Sequence, residues 1–298
     1  MPSTPEQPTA ETVRRVLGAR LPDGASVRPA DEPPFTWWVG DKYVLRLAHD
    51  KAASTRRRRE LRLRELVRPH VSVAVPTGVA TGEWAPGLAY ALDTRLPGAS
   101  AQEREVTAAG EEDLAGLLAA LRAVPVARAA QFGVPKVAPR SLERLRQQAG
   151  PAAQKLDDKG EFDAERLRQL TAQAVAQLGP QGEPVLVHHG LSGEHLIVTP
   201  DGHVAGALGW GDALIGDPAE DIACLAAAVG ARAAVRSATL AGYGPRACLR
   251  GLWLGRCDAV VRLAEGLLGG APAEPTALLR VRLERVWEPI LLELVSEG

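Results

Sequence analysis

The sequence predicts an α+β protein of two lobes: a small antiparallel β-sheet lobe with one packed helix over residues 1–97, and a larger, mainly helical lobe over residues 98–298. Three observations predict it. Short β-patterned runs crowd into the first third of the chain, a Leu96-Pro97-Gly98 break follows, and nearly everything beyond has helical periodicity. A chain of 298 residues buries about three quarters of its unfolded surface, so it needs no disulfide or metal to hold together.

The elements follow in order. Thr9 caps a short opening helix in which Val13, Val16 and Leu17 share a face. Ala25 to Leu47 has strand patterning, and Tyr43-Val44-Leu45-Arg46-Leu47 after the turn Gly40-Asp41 signals a hairpin. A helix from Ser54 to Val67 stops ahead of Pro69. Glu60, Leu63 and Val67 fall at i, i+3 and i+7 within it, so the acid shares the apolar stripe and needs a partner if buried. Val73–Val79 and Leu88–Leu92 predict two further strands with Gly82 to Gly87 as their turn. Beyond the break, Leu114, Leu117, Leu118 and Leu121 mark an amphipathic helix, and Asp157 to Phe162 is a polar surface loop. Strand signals return at Val185–Val187, Leu196–Val198 and Val204–Leu208, which predict a pair of hairpins, and helices run on through Val281–Val295. A cleft between two such lobes is a common small-molecule site.

Composition excludes several partners. Lys and Arg number 35 against 36 Asp and Glu, a net charge of −1, so no global field recruits nucleic acid or an anionic membrane. The cluster Arg56, Arg57, Arg58, Arg59, Arg62 and Arg64 lies on helix-patterned sequence and is expected to be a solvated face. No apolar run approaches the ~18 residues of a membrane span. Met1 to Thr9 carries no signal pattern, and Cys224, Cys248 and Cys257 form no CxxC pair, so a reducing cytoplasm is the expected location. His188, His189, Glu194, His195 and His203 crowd one stretch, but helix-type i, i+4 spacing is absent and no metal site is expected.

The stretch Val187-His188-His189-Gly190-Leu191-Ser192-Gly193-Glu194-His195-Leu196-Ile197-Val198 resembles the catalytic loop of the aminoglycoside phosphotransferase family, V-H-G-D-L-H-P-G-N before an apolar strand. Gly206-Ala207-Leu208-Gly209-Trp210-Gly211-Asp212-Ala213 through Gly216-Asp217-Pro218 resembles its metal-binding segment, G-x-I-D-W-x-x-A followed by G-D-P. Asp221-Ile222-Ala223 continues the likeness. Arg46 stands where the family has its nucleotide-contacting cation and Glu60 where a helix acid pairs with it, so this resemblance implies an Arg46–Glu60 ion pair on the nucleotide side. It covers nearly the whole chain and implies a bilobal, protein-kinase-like fold and ATP-dependent transfer to a hydroxylated small molecule.

The chemistry it implies lacks its residues. The family's loop Asp activates the acceptor hydroxyl, and the loop Asn and later Asp hold Mg²⁺. Here those positions are Gly190, His195 and Gly209. Glycine offers neither base nor ligand, and imidazole is a poor ligand for so hard an ion. Shifting the loop by one residue puts Leu191 at the Asp position, and the strand Leu196–Val198 fixes the register. The phosphate-covering hairpin, Asp31-Glu32-Pro33-Pro34-Phe35-Thr36-Trp37-Trp38, has two prolines without N–H donors and two acids that repel phosphate.

The expectation is therefore a degenerate, pseudokinase-like member that binds a small molecule, peptide or partner protein, with no nucleic acid, membrane or cofactor. The alternatives are an active phosphotransferase using ATP and Mg²⁺ with recruited residues (Asp212, Glu194 or His188), or different chemistry through His188, His189 or His195. Asp217, before Pro218, is expected to brace its loop.

Overall fold

The computed structural model describes residues 7–20, 24–30, 35–180, 182–269 and 274–290. Helix α1 (Ala10–Leu17) begins where Thr9 Oγ1 accepts the Thr12 N–H at 3.2 Å. Strands β1 (Val27–Pro29), β2 (Thr36–Val39) and β3 (Tyr43–Leu47) follow, then α2 (Lys51–Val67), β4 (Gly78–Ala85) and β5 (Leu88–Thr94). The five strands form one antiparallel sheet in the order β1-β2-β3-β5-β4. Trp37, Val39, Leu45, Leu47 and Leu92 bury against Val13 and Leu17 of α1. Helix α2 lies against β5, yet it turns Leu63 and Val67 into the core of the large lobe.

The large lobe holds β6 (Ala99–Ser100), α3 (Ala108–Ala123), α4 (Val126–Gln131), α5 (Leu142–Asp157), α6 (Ala172–Gln177), β7 (Val185–Val187), β8 (Leu196–Val198), β9 (Val204–Ala207) and β10 (Leu214–Gly216). It closes with α7 (Ala219–Val229), α8 (Ala231–Leu240), α9 (Pro245–Leu268) and α10 (Thr276–Val286). Leu114, Leu117, Leu118 and Leu121 of α3 are all buried, as their spacing predicts. Helix α9 is the hub, packed by α5, α7 and α10. Its approach to α7 is close enough that a Cβ at Gly251 would sit 2.6 Å from Ile222 Cβ, and one at Gly255 3.1 Å from the Ala223 carbonyl oxygen. Among the described residues no helix is long and apolar enough to cross a membrane.

The α+β, two-part architecture matches the sequence expectation, with local corrections. Val73–Val79 is not one strand. Ala74 bridges Gly206 in parallel, exchanging bonds with Ala205 and Ala207, and Val73 and Val75 join the large core, so β4 starts only at Gly78. The expected turn at Gly82 is strand, paired with Tyr90 of β5 and packed so closely on its ring that an added Cβ would meet Cε1 at 2.7 Å, and the reversal falls at Pro86-Gly87, with Gly87 at φ 76°. Strand β7 does not pair with β8. It pairs antiparallel with β10, while β8 lies between β6 and β9. The basic cluster is not wholly solvated: Arg64 is 1% exposed. Helix α10 ends at Val286, and residues 291–298 of the last expected helix lie outside the described residues, as do Asp31 to Pro34 of the altered hairpin.

Candidate functional site

Strand β7 ends by delivering His188 into the interior, and the chain then crosses the loop 188–195 before β8. The loop is pinned from α7. Asp221, in the first turn of that helix, accepts the His188 N–H at one carboxylate oxygen and the His189 N–H at the other, both at 2.8 Å. Burial pushes the Asp221 carboxyl up to about 7, opposed by those two N–H bonds. The pinned His189 has φ 59°, the one non-glycine with positive φ among the described residues. It stands where the catalytic-loop pattern has Gly, which agrees with the register taken from the sequence.

His188 is 0% exposed and neither ring nitrogen has a hydrogen-bond partner among the described residues. Its ring meets Trp210 edge-on at 4.5 Å, and burial pushes its pKa down to about 3. His195 is half-buried; its Nδ1 lies 2.7 Å from the Gly190 carbonyl oxygen and 3.2 Å from Ser192 Oγ. A carbonyl only accepts, so Nδ1 carries the proton in that bond and Nε2 is left as the acceptor of the neutral ring. At Gly190 an added Cβ would sit 3.5 Å from Nδ1 of both His188 and His195, ordinary contact distance, so a Cβ is accommodated there and none is present. Gly209 is the opposite case. It has φ +79°, and a Cβ would fall 2.6 Å from His195 Cε1 and Nδ1. The imidazole of His195 fills the volume a side chain at 209 would need.

The structure thus gathers His188, Gly190, His195 and Gly209 into one cluster, while Asp212 stands apart. Asp212 is 62% exposed and lies 3.5 Å from Arg56 of α2. Arg59 of the same helix donates to the Gly211 carbonyl at 2.7 Å, which docks α2 on the turn after Trp210.

The expected Arg46–Glu60 pair does not form. Glu60 accepts from Arg57, one turn earlier on α2, at 2.7 Å. Arg46 instead reaches Asp93 at 3.3 Å, and Asp93 is bound more tightly by Arg64, at 2.6 Å. The reason is Asp93 itself, a 0%-exposed carboxylate at the end of β5 that draws the nearby guanidiniums. Nothing in the sequence marks it as a hub, because it follows the run Leu88–Leu92 as an ordinary strand-end acid.

Outside the loop, a cavity of about 380 Å³ opens between α7 and α9, with His189, Ser192 and Gly193 on one side. Arg140 dominates it, donating to both oxygens of Glu220 (2.6 Å at the shortest) and both of Asp258 (2.9 Å). Burial lowers the Arg140 pKa, but these two carboxylates more than compensate and raise it. Burial raises the Asp258 carboxyl and pushes the Cys224 thiol, also in the cavity, up to about 12, so Cys224 is no nucleophile at neutral pH. Sequence reasoning missed Arg140, Glu220 and Asp258, which lie on separate segments and meet only in the fold. Asp217 is a brace as expected: Arg250 holds it at 2.6 Å, and it accepts the Ala219 N–H.

The residues at the family's metal positions do not fit Mg²⁺. Gly209 has no side chain, His195 offers a nitrogen, and the described residues contain no group of three or more His, Cys, Asp or Glu able to hold a metal.

The model of the phosphotransferase enzyme family matches residues 30–253, and the chain belongs to that family. Among solved structures, the chain is similar to the GDP complex of wild-type aminoglycoside 2'-phosphotransferase-IIIa at TM-score 0.68 and 20% identity, covering 94% of this chain and 99% of that one. It is similar also to the macrolide 2'-phosphotransferase MphH from Brachybacterium faecium, as apoenzyme, at TM-score 0.61 and 19% identity (94% and 99% covered). A third is macrolide 2'-phosphotransferase type I, at TM-score 0.58 and 20% identity (97% and 100%). At such identities the likeness is one of fold, the bilobal kinase-like fold. No curated protein matches the chain.

Proposed function

We propose that this phosphotransferase-family chain is a pseudokinase: its cleft binds a small molecule, a peptide or a partner enzyme and does not transfer the γ-phosphate of ATP. The observation that carries the reading is the joint state of Gly190, His195 and Gly209. The base position is empty of any side chain, and the imidazole of His195 occupies the space of the third position at 2.6 Å from a would-be Cβ. A positioned base contributes roughly 10²–10⁴ in rate, and neither glycine nor the fully buried His188 supplies one. Asp212, the acid nearest in sequence to the lost ligand, faces Arg56 and solvent. On this reading no Mg²⁺ or nucleotide is required, and the protein works in the cytoplasm, beside enzymes of natural-product metabolism.

The test is nucleotide turnover with the full chain. Incubation with Mg-ATP is expected to release no ADP, and Mg²⁺ to leave nucleotide affinity unchanged. The triple variant G190D/H195N/G209D is then expected to gain Mg²⁺-dependent nucleotide affinity. ADP release by the wild type that disappears on changing Asp212 or His188 would replace this reading with that of a rewired phosphotransferase.

A further inference from the structure

The cavity beside the loop has an apolar floor and a charged rim. Ala223, Ala227 and Ala259 make the floor, where α7 and α9 approach at Gly255. The carboxylates at the rim are already engaged. Arg140 holds Glu220 at 2.6 Å and Asp258 at 2.9 Å, and Arg282, also lining the cavity, holds Glu274 at 2.6 Å. Arg262 differs from these two guanidiniums. Its side chain is 61% exposed, and its nearest carboxylate oxygen, on Glu274, is at 3.6 Å, beyond hydrogen-bond reach. Among the described residues it makes no hydrogen bond. The imidazole of His189 is exposed on the loop side, with Ser192 beside it.

These charges discriminate between ligands. An arriving ammonium finds no free carboxylate among the described residues here and must displace Arg140 or Arg282 from short, charge-assisted pairs. An arriving carboxylate or phosphoryl group meets Arg262 with no hydrogen bond to break, its ion pair with Glu274 being the longer 3.6 Å contact, and leaves the short pairs of Arg140 and Arg282 intact. The volume, about 380 Å³, falls within the roughly 300–1,000 Å³ range of small-molecule sites. We propose that this cavity receives a small organic anion, its acidic group on Arg262, its apolar body on Ala223, Ala227 and Ala259, and a hydroxyl toward Ser192 and His189. The proposal rests on the reading of the cleft beside the degenerate loop as a binding site, and it names the class of ligand.

A matched set isolates the charge: 4-hydroxyphenylacetate, its methyl ester, tyramine and phenyl phosphate, with kanamycin as a polyamine. Each is titrated into the full chain without nucleotide, followed by ligand-observed NMR, and soaked into crystals to locate it. The acids are expected in this cavity with the acidic group on Arg262, binding at least about tenfold more tightly than ester, tyramine or kanamycin. Preference for phenyl phosphate over 4-hydroxyphenylacetate, or the reverse, says which acid group the site favours. The exposed substitution R262E is expected to invert the order toward tyramine without changing the melting temperature. Tyramine or kanamycin binding there as tightly as the acids overturns the proposal, as does a cavity that stays empty with every acid. ATP turnover in the separate assay would remove the pseudokinase reading and leave the anion preference standing.

Discussion

His188 combines complete burial with two ring nitrogens that have no hydrogen-bond partner among the described residues. Its pKa is about 3 in the folded chain against an ordinary 6.5, so below pH 6.5 the unfolded chain takes up a proton that the folded chain refuses. Stability therefore falls as pH drops from about 6.5 toward 3, with a slope of up to about 1.4 kcal/mol per pH unit from this group alone. His188→Phe keeps a ring against Trp210 and removes the titration. Urea unfolding between pH 7.5 and 4.5 is expected to show a flatter profile for the variant, and an unchanged slope would mean the imidazole charges freely in place. The neighbouring pair His195 and Gly209 gives a second prediction. Gly209→Asp alone drives a Cβ into the His195 ring at a positive φ, while His195→Asn shortens the obstructing side chain. The double variant is expected to be more stable than G209D, with a coupling of about 1–2 kcal/mol in a double-mutant cycle. Additive effects would show that His195 moves aside freely.

The elements were unevenly legible in the sequence, and the differences have physical causes. Helices α1, α2 and α3 could be read because a single apolar stripe covers several turns and a cap stands at the start of the first. The loop between β7 and β8 could be placed because apolar runs at Val185–Val187 and Leu196–Val198 bound it. Pairings could not. Three-residue strands such as β7 and β10 carry no register of their own, and residues 73–75 pair across to β9 through backbone bonds that no side-chain pattern encodes. Charge networks were hidden for the same reason: the family resemblance implied that Arg46 pairs with Glu60, but Asp93 lies on the strand beside β3. That network makes its own prediction. Asp93→Ala strands Arg64, itself 1% exposed, and is expected to cost about 3–5 kcal/mol in chemical unfolding. Arg46→Gln removes a longer contact from a partly exposed side chain and is expected to cost about 1 kcal/mol or less. Equal losses would place Arg46, rather than Arg64, at the heart of the pair.

At the scale of the whole molecule, the two lobes are less separable than the break at Leu96-Pro97-Gly98 suggests. Helix α2 precedes the break, yet Leu63 and Val67 pack in the same cluster as Leu114, Leu118 and Trp210 of the large lobe. Arg59 fastens that helix to Gly211, and Ala74 exchanges backbone bonds with Ala205 and Ala207. Removing residues 1–97 would therefore uncover apolar surface and leave backbone groups of β9 unpaired, at about 25 cal/mol for each Å² of apolar area returned to water. The small lobe is tied in the other direction too, because Leu63 and Val67 of α2 bury in the large-lobe core while α1 covers Trp37, Val39, Leu45 and Leu92 of the sheet. Shared burial of this kind couples the unfolding of both parts. Calorimetry of the full chain is expected to give one transition whose calorimetric and van't Hoff enthalpies agree, and a fragment of residues 98–298 is expected to show weak near-ultraviolet dichroism and to bind ANS. Two resolved transitions, or a fragment with native side-chain dichroism, would mean that α2 rests on the large lobe without stabilising it.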